Sequence, residues 1–397
     1  MAAKPKVKFV HRQKPVAAPA TAGSNRIGKQ HSDFGDPVAY LKSSPKFEAV
    51  PFPVPDGDLT LKLSDIAPDV SDAIVKAKKQ VFHCVGDTGG INGTDAQDAV
   101  AKEMEAQVAN PGVDGSPAFW FHLGDVVYFN GVSTDYPQQF YEPYQYYPAE
   151  IFAIPGNHDG DSHPGKGDPV DNEPSLYGFQ INFCDTERRA ASPYKKTMTQ
   201  PYVYWTLDTP MATIVGLYSN VDGNLDAKEK GEQEAWLTKQ LTAAPKKCLI
   251  VAVHHSPYSL DQSHGGYPEI LQSLDNSIAA SGRVPDMVLS GHVHNYQRFS
   301  RQINGRAIPY IIAGAGGYAN TLKAMHKLQT DANKSQIQVP FQTTHPDVQL
   351  IKFNQSDPGF LTITVTATEL TAEYNTVPFD GPADGNPFDS VTVSLKR

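Results

Sequence analysis

Apolar and polar positions change rhythm along this chain. Residues 1–45 carry Pro, Ala, Ser, Gly and Lys with no period, and read as a basic tail without fixed structure. Residues 46–80 are mixed, with a short helix predicted around Asp72–Lys79. From Val81 onward short apolar runs alternate with helical stretches. The runs are Val81–Val85, Ala118–Leu123, Glu150–Ile154, Tyr202–Leu207, Ala212–Leu217, Leu249–Val253, Met287–Leu289 and Tyr310–Ala313. Helices are predicted over Thr94–Val108, Pro137–Tyr146, Glu232–Ala243 and Pro268–Ala280. Strand-sized runs interleaved with amphipathic helices indicate an α/β fold. Past residue 347 the pattern becomes strict alternation, at Gln349–Phe353, Phe360–Ala367 and Val391–Leu395, which predicts antiparallel strands that extend or close a sheet. Residues 46–397 therefore read as one domain, and no internal repeat or composition break demands a second.

Each of five runs ends in a polar cluster. The clusters are Gly86-Asp87-Thr88-Gly89, Gly124-Asp125-Val126-Val127-Tyr128, Gly156-Asn157-His158-Asp159, His254-His255-Ser256-Pro257 and Gly291-His292-Val293-His294. In α/β sheets the loops beyond the carboxyl ends of the strands converge on one crevice. Several carboxylates and imidazoles gathered there need compensation, and a metal centre is the obvious one. Asp87, Asp125, Asn157, His254, His292 and His294 supply six oxygen and nitrogen donors. A lone zinc needs only three or four, so the donor count favours two ions about 3.5–4 Å apart. Asp125 can bridge them with its two carboxylate oxygens. His292 and His294, two apart, would face different ions if the backbone between them is extended.

Composition narrows the partners. Residues 1–32 hold seven Lys/Arg and no acid, leaving a body with 27 basic and 43 acidic residues. An acidic body argues against broad nucleic-acid affinity. No apolar run approaches the roughly eighteen residues of a membrane span. The three cysteines are no disulfide framework. No secretory signal is visible, which gives a cytoplasmic expectation by default. Oligomeric state is not addressed by the sequence.

The ordered set GDTG, GDVVY, GNHD, HH and GHVH resembles the calcineurin-like metallophosphoesterase superfamily. Asp-x-Gly in the first cluster, Tyr128 closing the second and the run GHVHNYQR (291–298) are similar to its purple acid phosphatase branch, whose members are often secreted. The resemblance covers about residues 80–320. It implies a four-layer α/β/β/α sandwich of two mixed sheets flanked by helices. It also implies that Asp87, Asp125, Tyr128 and His294 hold a ferric ion, with Asp125, Asn157, His254 and His292 holding a second ion of Fe, Zn or Mn. The implied reaction is phosphate-ester hydrolysis of a small-molecule substrate by metal-bound hydroxide. Alternatives are a phosphodiesterase or nucleotidase on the same centre, and a non-catalytic binding protein on this fold.

Further roles follow from position. His158, next to a ligand, would contact the phosphoryl group or protonate the leaving oxygen. His255 would point toward substrate. Asp159 and Gln297 stand where the branch usually has Glu, and Asp159 would orient an imidazole. His163 and His264 read as loop histidines. Asp185–Lys196 reads as a solvated loop or a cationic lip for anionic substrate. Gly314-Ala-Gly-Gly317 reads as a tight turn that supports the site.

Overall fold

The computed structural model describes residues 34–38, 54–162, 173–225, 231–381, 383 and 385–395. Most of the basic N-terminal stretch, and His163, lie outside the described residues.

The strands are β1 (Thr60–Lys62), β2 (Lys79–Val85), β3 (Phe119–His122), β4 (Glu150–Ala153), β5 (Trp205–Asp208), β6 (Ala212–Leu217), β7 (Cys248–Val253) and β8 (Met287–Ser290). They continue with β9 (Tyr296–Ile303), β10 (Arg306–Ala313), β11 (Phe341–Gln342), β12 (Val348–Asn354), β13 (Gly359–Thr366), β14 (Glu369–Thr376) and β15 (Asp389–Ser394). The helices are α1 (Leu63–Ile66), α2 (Pro68–Ala77), α3 (Asp95–Ala106), α4 (Asn157–Gly160), α5 (Tyr177–Phe183), α6 (Glu232–Ala243) and α7 (Pro268–Ser281).

Two mixed sheets result. A nine-stranded sheet runs β1-β5-β6-β7-β8-β10-β9-β12-β11, and a six-stranded sheet runs β15-β14-β13-β2-β3-β4. Within each, the strands that feed the polar clusters are parallel: β2, β3 and β4 in one, β7 and β8 in the other. The period-two side-chain rhythm of a strand explains the layering. On β7, Ile250 and Ala252 enter the core shared with the six-stranded sheet, while Leu249, Val251 and Val253 pack in a second core with Leu237 and Leu241 of α6 and Ile270 and Leu274 of α7. On the far side, Ile74 of α2 and Val100, Ala101 and Met104 of α3 join the core of the six-stranded sheet. The result is the expected helix–sheet–sheet–helix sandwich.

Several local expectations need correction. The helix predicted over Pro137–Tyr146 is a single π-type turn, Pro137–Tyr141, closed by Glu142 N–H donating to Pro137 O. Pro143 has no N–H to continue it and disfavours helix at its neighbour. The helix around Asp72–Lys79 starts earlier, with Pro68 at its first turn, and ends at Ala77, so that Lys79 already belongs to β2. The strand expected over Tyr202–Leu207 begins only at Trp205. The alternating C-terminal segment divides between the sheets: β12 pairs with β9, whereas β13 pairs with β2.

Candidate metal centre

The five clusters leave the carboxyl ends of β2, β3, β4, β7 and β8 and meet where the two sheets face each other. Three candidate ligands adopt left-handed backbone conformations themselves, at Asp87 (φ 58°), Asp125 (φ 52°) and His292 (φ 69°). Such conformations are sparsely populated by non-glycine residues and cluster at functional sites. They persist here because hydrogen bonds tie the turns to one another. Asp87 N–H donates to Gly124 O at 2.9 Å, and both Asp87 carboxylate oxygens accept from His292 N–H at 3.1 and 2.9 Å. Gly156 is needed beside this seam, since a Cβ there would lie 2.1 Å from Asp125 Oδ1.

Two donor sets emerge. In the first, Tyr128 Oη lies 3.3 Å from Asp87 Oδ1 and 3.4 Å from His294 Nε2. In the second, Asn157 Oδ1 lies 3.1 Å from His254 Nε2 and 2.9 Å from His292 Nδ1. Asp125 belongs with both. Its Oδ2 is 3.3 Å from His254 Nε2, and its charge acts on Asp87 and His294. The structure thus brings all seven candidate ligands together. His292 and His294 do separate between the sets, but through the left-handed kink at His292 and not through the extended backbone expected.

The donor chemistry of the second set fits a cation. His254 Nδ1 faces Leu123 O at 2.8 Å and donates its proton there, which turns Nε2 toward Asp125 and Asn157; burial lowers this imidazole, but the Asp125 charge outweighs it and raises it to about 9. His292 Nε2 faces Tyr267 Oη at 2.8 Å, and donation there likewise turns the Nδ1 lone pair inward. Two imidazole nitrogens, an amide oxygen and a carboxylate then converge, and a cation could take the place of the proton that Asp125 holds on His254. Asp125, His254 and His292 keep their ligand atoms within 4.8 Å of one another. The first set offers carboxylate, phenol and imidazole, a harder group suited to a more highly charged ion.

Electrostatics point the same way. Burial pushes Asp87 well above the usual carboxylate range, and the neighbouring Asp125 charge adds to the rise. Burial also acts on Asp125, but His254 and His158 outweigh it and hold that carboxyl low. Burial followed by the Asp125 and Asp87 charges pushes the Tyr128 phenol far up. A polyvalent cation would reverse this for both Asp87 and Tyr128.

Around the ligands, His158 is half-buried, lies against the Tyr128 ring and pairs through Nδ1 with Phe129 O at 2.8 Å. His255 departs from its expected role. It is buried, bonds Ser219 Oγ through Nδ1 at 2.7 Å, and packs on His292 and Tyr267. That is a supporting position in place of a substrate-facing one. Asp159 orients backbone, not an imidazole: it accepts from the N–H groups of Val126, Val127 and Gly156 and so ties the second loop to the third. Arg298 and Tyr296, also in the last motif, bind Asp389 of β15 and stitch the sheets together. Gly316 N–H donates to Gly86 O, so the glycine turn does support the site.

Sequence reasoning missed three residues here. Tyr318 stacks on Tyr128 with ring centroids 3.9 Å apart, Tyr267 holds His292, and His326 stacks on His294 at 4.2 Å. His264, read as a loop histidine, lies 5.1 Å from His292 ring to ring. Conversely, the cationic segment is not a lip of this site. Arg188 makes a two-pronged pair with Glu150 at the amino end of β4, and Lys195 donates to the carbonyls of Tyr147 and Ala149.

The calcineurin-like phosphoesterase family matches residues 81–296, and the chain belongs to that family. Among relatives, human (Homo sapiens) tartrate-resistant acid phosphatase type 5 is 28% identical over 284 residues, covering 65% of this chain and 78% of that protein. Purple acid phosphatase PPD1 from yellow lupin (Lupinus luteus) seeds shares the fold with a TM-score of 0.54 at 19% identity, over 80% of this chain. This chain spans 54% of the lupin protein's length. GAP50, the anchor in the inner membrane complex of Plasmodium, shares the fold at TM-score 0.53 and 14% identity, over 80% of this chain and 90% of its own. Within the family the chain falls in the purple acid phosphatase-like branch, and it is a metal-dependent phosphoester hydrolase. No helix among the described residues is long and apolar enough to cross a membrane.

Proposed function

We propose that this chain hydrolyses small phosphate monoesters at a two-metal centre. Asp87, Tyr128 and His294 would hold a ferric ion, Asn157, His254 and His292 a divalent one, and Asp125 would serve both. The observation that carries this reading is the convergence of His254 Nε2 and His292 Nδ1 on Asn157 Oδ1, beside a separate carboxylate–phenol–imidazole set. Bound there, such ions polarise phosphoryl oxygens and acidify water.

The chain's own residues do the rest. Asp125 accepts His158 N–H at 2.9 Å, which fixes His158 against the centre. The Phe129 carbonyl holds the Nδ1 proton of that ring, so Nε2 is the atom that exchanges a proton with the leaving oxygen. Protonating the departing alkoxide removes the charge that would otherwise build on it. Asp159 clamps the backbone of both loops and limits their motion during the reaction.

The test is hydrolysis of p-nitrophenyl phosphate and bis(p-nitrophenyl) phosphate by protein loaded with iron and zinc. Chelator-sensitive turnover that favours the monoester is expected. Preference for the bis-ester would replace this reading with a phosphodiesterase. Absence of turnover and of bound metal would leave a binding protein on a phosphoesterase fold.

A further inference from the structure

We infer that Gln139 is the positioning residue of the ferric half of the centre, holding Tyr128 in its ligand posture before any metal arrives. The inference rests on the ligand role proposed for Tyr128. Gln139 is buried on the π-type turn Pro137–Tyr141. Its side-chain amide grips both backbone polar groups of a single residue. Gln139 Oε1 accepts Tyr128 N–H at 2.9 Å, and Gln139 Nε2 donates to Tyr128 O at 2.7 Å. A side-chain amide carries the acceptor and the donor that this two-point contact needs.

The grip is itself anchored. Gln97 of α3, fully buried, donates through Nε2 to Gln139 O at 2.7 Å. Gln139 Nε2 also faces Asp135 Oδ2 at 3.4 Å. Gly89 leaves the space for it: a Cβ there would lie 2.5 Å from Gln139 Oε1 and 2.8 Å from Tyr128 Cδ2. The glycine of the first cluster, the amide and the tyrosine therefore pack as one unit. The preceding two residues are held by another side chain, since the N–H groups of Val126 and Val127 donate to Asp159. The hold on this loop thus passes from Asp159 to Gln139 at the residue that carries the phenol.

The consequence falls at the far end of the Tyr128 side chain. Its Oη stands 3.3 Å from Asp87 Oδ1 and 3.4 Å from His294 Nε2. Tyr318 stacks on the ring at 3.9 Å, with 20° between the planes, and the His158 ring lies 4.5 Å away. Functional groups of this kind must be held to within about 0.5 Å, and a tilt of the Tyr128 backbone is magnified along the side chain before it reaches Oη. Loss of the amide grip therefore displaces the phenol from Asp87 and His294. The histidines of the second set are held from elsewhere, His254 by Leu123 O and His292 by Tyr267 Oη. Gln139 accordingly acts on one ion position and not on the other.

The experiment compares wild type, Gln139→Met and Gln139→Asn, each loaded with iron and zinc and checked by circular dichroism. Methionine keeps the volume and loses both hydrogen bonds. Asparagine keeps the amide but sets it one methylene short, and covers the case in which the methionine variant does not fold. The readouts are the phenolate-to-iron absorbance per bound iron and the release of each metal to a chelator. The variants are expected to shift and weaken the band and to release iron about 10-fold more readily, with zinc release unchanged. A wild-type band with wild-type iron release overturns this inference and leaves the two-metal reading intact. Equal loosening of both metals, or failure of both variants to fold, does the same, because Gln139 is then a support of the fold only. Iron-loaded wild type without the band overturns the ligand role of Tyr128 and this inference with it.

Discussion

The two sheets differ in what they bring to the centre. The six-stranded sheet delivers oxygen: Asp87 after β2, Asp125 and Tyr128 after β3, Asn157 after β4. The nine-stranded sheet delivers nitrogen: His254 after β7, His292 and His294 after β8. Both donor sets draw on both sheets, so metal binding there would also fasten the sandwich. Each proposed ion site would take donors from both sides. The His292 N–H, donating to both Asp87 carboxylate oxygens, ties the two sheets at this point.

The largest expected effect comes from the residue that the two donor sets share. Asp125→Asn keeps the shape but removes the charge that faces His254 and holds His158. We expect turnover to fall by roughly a thousand-fold or more, since transition-state charge then lacks its counter-ions. Metal content should fall with it. Near-normal turnover in this variant would break the picture of one carboxylate serving both sheets.

Tyr128→Phe tests the oxygen side alone. Iron-loaded wild type is expected to show a phenolate-to-iron charge-transfer band in the visible, and the variant to lose it. Phenylalanine fills the same buried space against Tyr318 and His158, so the thermal midpoint should move little. A colourless iron-loaded wild type would remove Tyr128 from the ligand set.

How much of this was legible in the sequence depends on how local each cause is. Asp87, Asp125, Asn157 and His292 each follow an apolar run directly, so run and ligand can be read together. The α/β class and the parallel strands β2, β3 and β7 follow from the same short-range pattern. The strand β9 was not legible, because Tyr296 and Arg298 look like a continuation of the histidine motif. Their partners, Tyr374 and Asp389, lie far along the chain. His326 belongs to no motif and reaches the site only because β10 ends beside β8. The cationic run at 188–196 misled for the opposite reason. Its charge is visible in sequence, but Glu150, which neutralises Arg188, is brought to it by the fold.

The nitrogen side has a finer test, smaller in effect, at Tyr267. His292 can bind a cation through Nδ1 only if its proton sits on Nε2, and the Tyr267 hydroxyl 2.8 Å from Nε2 is placed to accept it there. Gly223 (φ 77°) makes room for the ring: a Cβ there would lie 2.0 Å from Tyr267 Cδ1. Tyr267→Phe retains the packing against His255 and removes the hydroxyl that pairs with His292. Outer partners of this kind typically change metal affinity 10–100-fold. We therefore expect the divalent ion to dissociate about 10-fold more readily in competition with a chelator, while the Tyr128–iron band is unchanged. Equal weakening of both ions would mean that Tyr267 merely supports the fold. Selective loss of the divalent ion would show that the nitrogen-bearing sheet tunes its own ion independently of the oxygen-bearing one.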